Sequence, residues 1–193
     1  MMGDGAGIDK ARPHPMIRPM TDRTRPDPPP PEGPPPPSPT QRQGGFMDLA
    51  LAEARKAAER GEVPVGAVLV REGKVLAADG NRTLELADPT AHAEMLVLRA
   101  ACRTLASQRL PDCDLYVTLE PCPMCAAAIS FARIRRLYFG AGDEKGGAVE
   151  HGVRFYAQPT CHHAPEVYSG LAEVDAADLL KGFFRQKREE GTK

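Results

Sequence analysis

Two short elements of metal-binding type constrain the fold of this chain more than any other feature of its sequence. They are His92-Ala93-Glu94 and, about thirty residues later, Pro121-Cys122-Pro123-Met124-Cys125. A Cys-x-x-Cys pair and one histidine can hold a zinc ion through three protein ligands, which leaves the fourth tetrahedral position open to water. The chain therefore has to fold so that the two elements meet, with His92, Cys122 and Cys125 as the candidate ligands of one Zn²⁺.

The carboxylate of Glu94 adds a chemical function to this candidate site. It follows His92 by two residues, close enough to act on a water molecule in the open position without binding the metal. His-x-Glu together with Pro-Cys-x-x-Cys is the signature of zinc-dependent base deaminases, in which the glutamate carries protons between the water, the ring nitrogen and the leaving amine. The alternative is a structural zinc site, which requires a fourth protein ligand such as Cys161, His162 or His163.

The remainder of the chain from residue 46 alternates between helical and strand patterns. Apolar residues recur at helical spacing in residues 46–61, whereas Leu115, Val117 and Leu119 alternate with polar residues as in a strand. This alternation favours an α/β fold with helices on both faces of a sheet, in which ligands bind beyond the carboxyl ends of strands. We expect helices over 46–61, 88–110, 121–132 and 175–188, and strands over 63–70, 75–78, 114–119, 136–141 and 166–169.

Residues 1–44 differ in character from the rest. Two runs of four prolines, at 28–31 and 34–37, favour extended polyproline conformations and cannot build a core. We therefore expect a disordered, proline-rich tail at 1–44 and a zinc-dependent deaminase domain at 45–193. Translation from Met47 and recognition by a proline-binding module are alternative explanations of the tail.

The composition limits where the chain acts and what it binds. The net charge of -1 excludes a general polycation, so a nucleic-acid partner would have to meet local basic patches. Five cysteines, two of them in a metal-type pair, fit a reducing compartment better than a disulfide framework. No apolar run reaches membrane-spanning length, so we expect a cytoplasmic protein without a membrane partner.

Several blocks of the sequence, in this order and spacing, resemble the bacterial tRNA-specific adenosine deaminases. The resemblance covers nearly everything from residue 46 onward and none of the tail. The blocks are VPVGAV at 63–68, GNR at 80–82, DPTAHAE at 88–94 and YVTLEPCPMC at 116–125, and the similarity continues through 133–136, 139–141 and 183–185.

The resemblance implies a cytidine-deaminase-like three-layer α/β/α sandwich around a five-stranded mixed sheet. It also implies that His92, Cys122 and Cys125 bind one zinc ion per subunit, that Glu94 shuttles protons, and that Asn81 contacts the target nucleoside. Members of the family are homodimers that convert adenosine to inosine at the wobble position of a tRNA anticodon, chiefly in an arginine tRNA. Since inosine pairs with more than one base, one such tRNA reads several codons.

Two other functions remain open from the sequence. A deaminase of free guanine, cytosine or cytidine would share the zinc motif, and a non-catalytic partner subunit would typically lack the carboxylate that Glu94 provides. The resemblance is weakest between residues 150 and 165, where we expect His151, Cys161, His162 and His163 to pack a loop or lie on the surface, and not to bind a second metal. Basic clusters at 133–136 and 185–188 could meet phosphates, although such clusters are often only solvated.

Overall fold

The computed structural model describes residues 45–191, and the expected tail at 1–44 lies outside the described residues. The described part contains a five-stranded mixed sheet with helices on both of its faces, as predicted. Its α-helices are α1 (Phe46–Glu59), α2 (Ala93–Leu105), α3 (Pro123–Ala132) and α4 (Glu173–Gly191), and a short 3₁₀ helix spans Phe155–Ala157. Its strands are β1 (Gly66–Arg71), β2 (Lys74–Gly80), β3 (Cys113–Leu119), β4 (Arg136–Ala141) and β5 (Glu166–Tyr168).

The sheet order β2-β1-β3-β4-β5 determines which loops are neighbours. Strand β1 runs antiparallel to both β2 and β3, and the pairs β3–β4 and β4–β5 are parallel. Strands β2 and β3 consequently run in the same direction. Their carboxyl ends lie at the same edge of the sheet, where the chain continues towards α2 and α3.

The two faces of the sheet follow the alternation of side chains along each strand. On β1, Ala67 and Leu69 pack in a buried cluster with residues of α2 and α3. Val68 and Val70 point to the other face and pack against α1, and α4 reaches that face through Ala176. Helix α1 lies so close to β1 that a Cβ atom at residue 66 would collide with a backbone carbonyl of the helix, which explains the glycine there.

Both helices that carry the metal-type motifs begin later than the sequence suggested. Asp88 does not start α2; its Oδ1 instead accepts hydrogen bonds from the N–H and the hydroxyl of Thr90 (2.8 and 2.7 Å) and forms a turn. Helix α2 begins at Ala93 with His92 as the N-cap. Helix α3 begins at Pro123 and not at Pro121, because a residue that precedes proline is disfavoured in helical conformation, and Cys122 is extended (φ -70°, ψ 170°).

Within the described residues, no helix is both long enough and apolar enough to cross a membrane.

Candidate metal centre and active site

The structure brings the two metal-type motifs together at the shared edge of β2 and β3. His92 and Cys122 are the N-caps of α2 and α3, and Cys125 lies in the first turn of α3. The Nδ1 atom of His92 is 3.7 Å from the Sγ of Cys122 and 3.5 Å from the Sγ of Cys125. All three ligand atoms lie within 4.8 Å of one another, so one ion can contact all three.

The spacing and chemistry of these atoms fit zinc. With Zn–S near 2.3 Å and Zn–N near 2.05 Å, a tetrahedral angle separates sulfur and nitrogen by about 3.6 Å. The observed separations of 3.5 and 3.7 Å bracket this distance. Two thiolates and one imidazole are also a donor set that favours zinc over magnesium or calcium.

Within residues 45–191, the metal-type group has no fourth protein ligand. The Sγ of Cys161 donates to the carbonyl oxygen of His163 (3.1 Å), and the Nε2 of His163 hydrogen-bonds to the carbonyl oxygen of Ile134 (2.7 Å). The carbonyl oxygen of His162 accepts from Arg133 (2.7 Å). These loop residues hold the segment after the 3₁₀ helix against the end of α3, in agreement with the expected packing role, and they do not support a structural zinc site.

The two cysteines differ in how readily they lose a proton. A hydrogen bond from the Cys125 thiol, assisted by the adjacent His92, lowers the pKa of Cys122 to about 4. The same hydrogen bond, together with burial, raises the pKa of Cys125. Both sulfurs lie at the N-terminus of α3, where the helix dipole favours negative charge. Cys122 therefore loses its proton more readily than Cys125.

Glu94 lies beside the ligand group without belonging to it. It sits in the first turn of α2 and is 3% exposed. Burial raises the pKa of its carboxyl, and a hydrogen bond from its own N–H acts in the opposite direction. A buried carboxyl with a raised pKa suits a group that both accepts and donates protons near neutral pH.

Asn81 follows the carboxyl end of β2 and is buried against the start of α2. Its side-chain Oδ1 accepts a hydrogen bond from the N–H of Ala93 (2.9 Å), and its own N–H donates to the carbonyl oxygen of Val65 (3.0 Å). The first of these contacts holds the side chain of Asn81 against the N-terminus of α2, at the residue that separates His92 from Glu94. The carbonyl end of the amide is therefore engaged with the start of α2.

Glu120 is a residue that the sequence analysis missed. It joins β3 to Pro121, and its carboxyl group is fully buried. Burial alone would raise the pKa of Glu120, but five hydrogen bonds lower it to about 2. The donors are the N–H groups of Asp143 (2.9 Å), Val149 (3.0 Å), Glu150 (2.8 Å) and His151 (2.9 Å) and the ring Nδ1 of His151 (2.6 Å).

This carboxylate anchors the loop 143–151 beside the candidate metal ligands. The N–H of Ala148 also donates to the carbonyl oxygen of Pro121 (2.9 Å), next to Cys122. A charged residue directly after strand β3 was the sequence signal of this role. Its partners lie 23–31 residues further along the chain, and so the sequence alone did not identify them.

The first basic cluster is less available to an RNA than its sequence suggested. Arg135 forms a two-point ion pair with Asp114 (both 2.9 Å), and Arg136 is buried and pairs with Glu166 (2.9 Å). Ion pairing and burial leave Arg136 unsuited to phosphate contact, and electrostatics in this cluster gives little support for a nucleic-acid partner.

Comparison with known proteins agrees with this geometry. A sequence model of the MafB19-like deaminase family matches residues 42–188. A relative named tRNA-specific adenosine deaminase, from Agrobacterium fabrum, is 71% identical over 143 residues, which cover 74% of this chain and 94% of the relative.

Two solved structures share the fold of this chain. One comes from studies of A-to-I editing by tRNA:A34 deaminases at the wobble position of transfer RNA. It is 71% identical to this chain, and the two superpose with a TM-score of 0.69 over 70% of this chain and 98% of the solved chain. A guanine deaminase from Nitrosomonas europaea shares the fold at 23% identity, with a TM-score of 0.62 and coverage of 72% and 82%.

Proposed function

Because this chain belongs to the family of tRNA-specific adenosine deaminases, we propose that it converts adenosine to inosine at the wobble position of a tRNA anticodon by hydrolytic deamination. The observation that carries the proposal is the convergence of His92, Cys122 and Cys125 beside the buried carboxyl of Glu94. We assign an arginine tRNA as the principal substrate, so that the product reads several codons.

The proposed ligands of one zinc ion per subunit are His92, Cys122 and Cys125. Their donor atoms are spaced for tetrahedral coordination, and the N-terminus of α3 favours both thiolates. When bound, zinc makes a water molecule acidic enough to act as a nucleophile at neutral pH. We propose residues 45–193 as the deaminase domain that contains these ligands.

Glu94 is the proposed proton carrier. Its carboxylate accepts a proton from the attacking water and delivers it to the ring nitrogen next to the amino group of adenine. It then takes the second proton of the same water molecule and transfers it to the departing amine. Water and adenosine thus give inosine and ammonia. Burial keeps the pKa of Glu94 above its ordinary value, which makes its carboxylate a stronger base towards the attacking water.

Asn81 is the proposed contact to the target nucleoside, through the NH₂ end of its amide. Its other end is held by the N–H of Ala93, one residue from both His92 and Glu94. A base has to leave its stack to enter a pocket of this kind, and an anticodon loop presents unstacked bases at small cost. We further propose that the protein works as a homodimer in the cytoplasm, as the family resemblance implies.

In the decisive experiment, the zinc-loaded protein is incubated with an anticodon stem-loop that carries a wobble adenosine. Parallel incubations contain free adenosine, cytidine or guanine, and deamination of each substrate is measured. We expect inosine in the RNA and no turnover of the small molecules. A stem-loop with the adenosine moved to the neighbouring position controls for site selection, and other tRNAs with a wobble adenosine test the assignment of an arginine tRNA. Faster deamination of guanine or cytidine than of the stem-loop would overturn the proposed function.

A further inference from the structure

Glu62 carries a buried carboxyl group that the proposed mechanism does not use. It lies between α1 and β1 and is 1% exposed. Its Oε1 accepts hydrogen bonds from the N–H groups of Leu84 (2.8 Å) and Glu85 (2.9 Å), and its Oε2 accepts one from the hydroxyl of Thr83 (3.0 Å). One carboxylate thus binds three successive residues of the segment that follows β2.

The turn 83–87 depends on this carboxylate because its own side chains are largely exposed. All of them are at least partly open to solvent, and Leu84 and Leu86 are 71% and 51% exposed. The N–H groups of residues 86–88 bond to carbonyl oxygens of residues 82–84, which closes the turn on itself without attaching it to the domain. Because hydrogen bonds to a buried charge are strong, the three bonds to Glu62 are the main attachment of the turn.

Asn81, the proposed contact to the nucleoside, lies at the base of this turn. The segment that contains Glu62 also holds the Asn81 backbone: the N–H of Asn81 donates to the carbonyl oxygen of Val65 (3.0 Å), and its carbonyl oxygen accepts from Nη2 of Arg60 (3.1 Å). The side-chain Oδ1 of Asn81 accepts from the N–H of Ala93 (2.9 Å), which begins α2. A continuous series of contacts therefore joins Glu62, through the turn and Asn81, to the start of α2.

We propose that Glu62 is a positioning residue: by holding the backbone of the turn, it fixes the side chain of Asn81 against α2 in the orientation in which Asn81 meets the nucleoside. The kinetic consequence rests on the proposed function. The series of contacts belongs to the folded, zinc-loaded protein and can be tested without turnover.

Two conservative variants separate the length of the side chain from its charge. Glu62→Gln has the length of glutamate; its carbonyl oxygen accepts the two N–H bonds, and its NH₂ group donates to the Thr83 hydroxyl, which can accept as well as donate. Glu62→Asp keeps the charge but is shorter by one CH₂ group, so its carboxylate withdraws from the turn. If Glu62 acts by position, Glu62→Asp is impaired and Glu62→Gln is close to wild type.

Amide hydrogen exchange in the zinc-loaded protein, followed by ¹⁵N NMR, tests the contacts directly. In Glu62→Asp we expect exchange to become about tenfold faster at Leu84 and Glu85, which lose their acceptor, and about fivefold faster at Ala93, because Asn81 loosens. The amides of β3, the central strand, should keep their rates. A wild-type rate at Ala93, or an equal acceleration in β3, would overturn the positioning role.

A double-mutant cycle tests the consequence for substrate binding. We expect Glu62→Asp to raise KM for the stem-loop about tenfold, with zinc content unchanged and kcat within about twofold. In the Asn81→Ala background the same substitution should raise KM no further, because Glu62 acts through Asn81. Glu166→Asp is the matched control: it shortens a carboxylate that binds Arg136 (2.9 Å) at the opposite edge of the sheet, and it should keep the wild-type KM.

The outcomes separate this proposal from the proposed function. A wild-type KM in Glu62→Asp, an equal increase in both backgrounds, or a Glu62→Gln variant as impaired as Glu62→Asp would overturn the positioning role. If the wild-type protein made no inosine in the stem-loop, the proposed function would fail, while exchange at Ala93 would still decide whether Glu62 holds Asn81. Should Glu62→Asp not fold, Thr83→Val removes one of the three bonds at a partly exposed side chain. Exchange at Ala93 should then be about twofold faster, and an unchanged rate would count against the proposal.

Discussion

Replacing Glu120 by glutamine tests whether a single buried carboxylate holds the loop beside the candidate metal ligands. Glutamine has the same size, so the substitution leaves no cavity. It removes the negative charge and turns one acceptor oxygen into an NH₂ group. That end of the side chain can no longer accept the hydrogen bond from the N–H of Asp143, which loses its partner. The three backbone donors on the other oxygen keep a neutral acceptor.

The expected loss follows from the pKa of Glu120. Lowering the pKa of a carboxyl from its ordinary 4.5 to about 2 corresponds to about 3 kcal/mol of folding free energy at neutral pH. Because the pKa of the folded state is the lower one, this stabilisation is present in full above pH 4.5 and is lost as the pH falls towards 2. The difference between wild type and Glu120→Gln should therefore narrow by about 1 kcal/mol between pH 7 and pH 3.5.

Urea unfolding of the zinc-loaded proteins at a series of pH values measures this difference. Glu85→Gln is the matched control, since Glu85 forms exposed ion pairs with Arg82 (2.9 Å) and Arg60 (3.3 Å). Such pairs contribute little, so the control should lie within about 0.5 kcal/mol of wild type. A loss below about 1 kcal/mol for Glu120→Gln at pH 7, or a loss that does not change with pH, would refute the assignment of Glu120 as the anchor of loop 143–151.

Three further substitutions or deletions test the remaining assignments. Glu94→Ala should retain zinc and bind the stem-loop but lose turnover by about 10²- to 10⁴-fold in single-turnover assays; substantial residual activity would exclude Glu94 as the proton carrier. Cys122→Ser should purify with little zinc by elemental analysis, because it removes one of three ligands; a full zinc content would contradict the ligand set. Removal of residues 1–44 should leave thermal unfolding and deamination unchanged, and a collapse of either would show that the core extends into that segment.

The sequence predicted the fold class and the order of its elements because both depend on local patterns. The alternation of Leu115, Val117 and Leu119 predicted a strand close to β3, and the strand expected over 136–141 has the bounds of β4. Helix starts were less well predicted. Asp88 carries the residue type of an N-cap, yet its side chain satisfies Thr90 and not the first turn of α2. Residue type alone does not show which of two nearby turns a capping side chain serves.

Sequence spacing by itself predicted a zinc site at His92, Cys122 and Cys125 with Glu94 as its carboxylate, since this prediction depends only on residue types and on two short motifs. Only the tertiary structure decided which other residues reach that site. Glu120 acquires its role through contacts across the fold, to the backbone of loop 143–151. The physical reason is that a buried polar group takes its partners from whatever the packing places beside it, and those partners leave no periodic pattern in the chain.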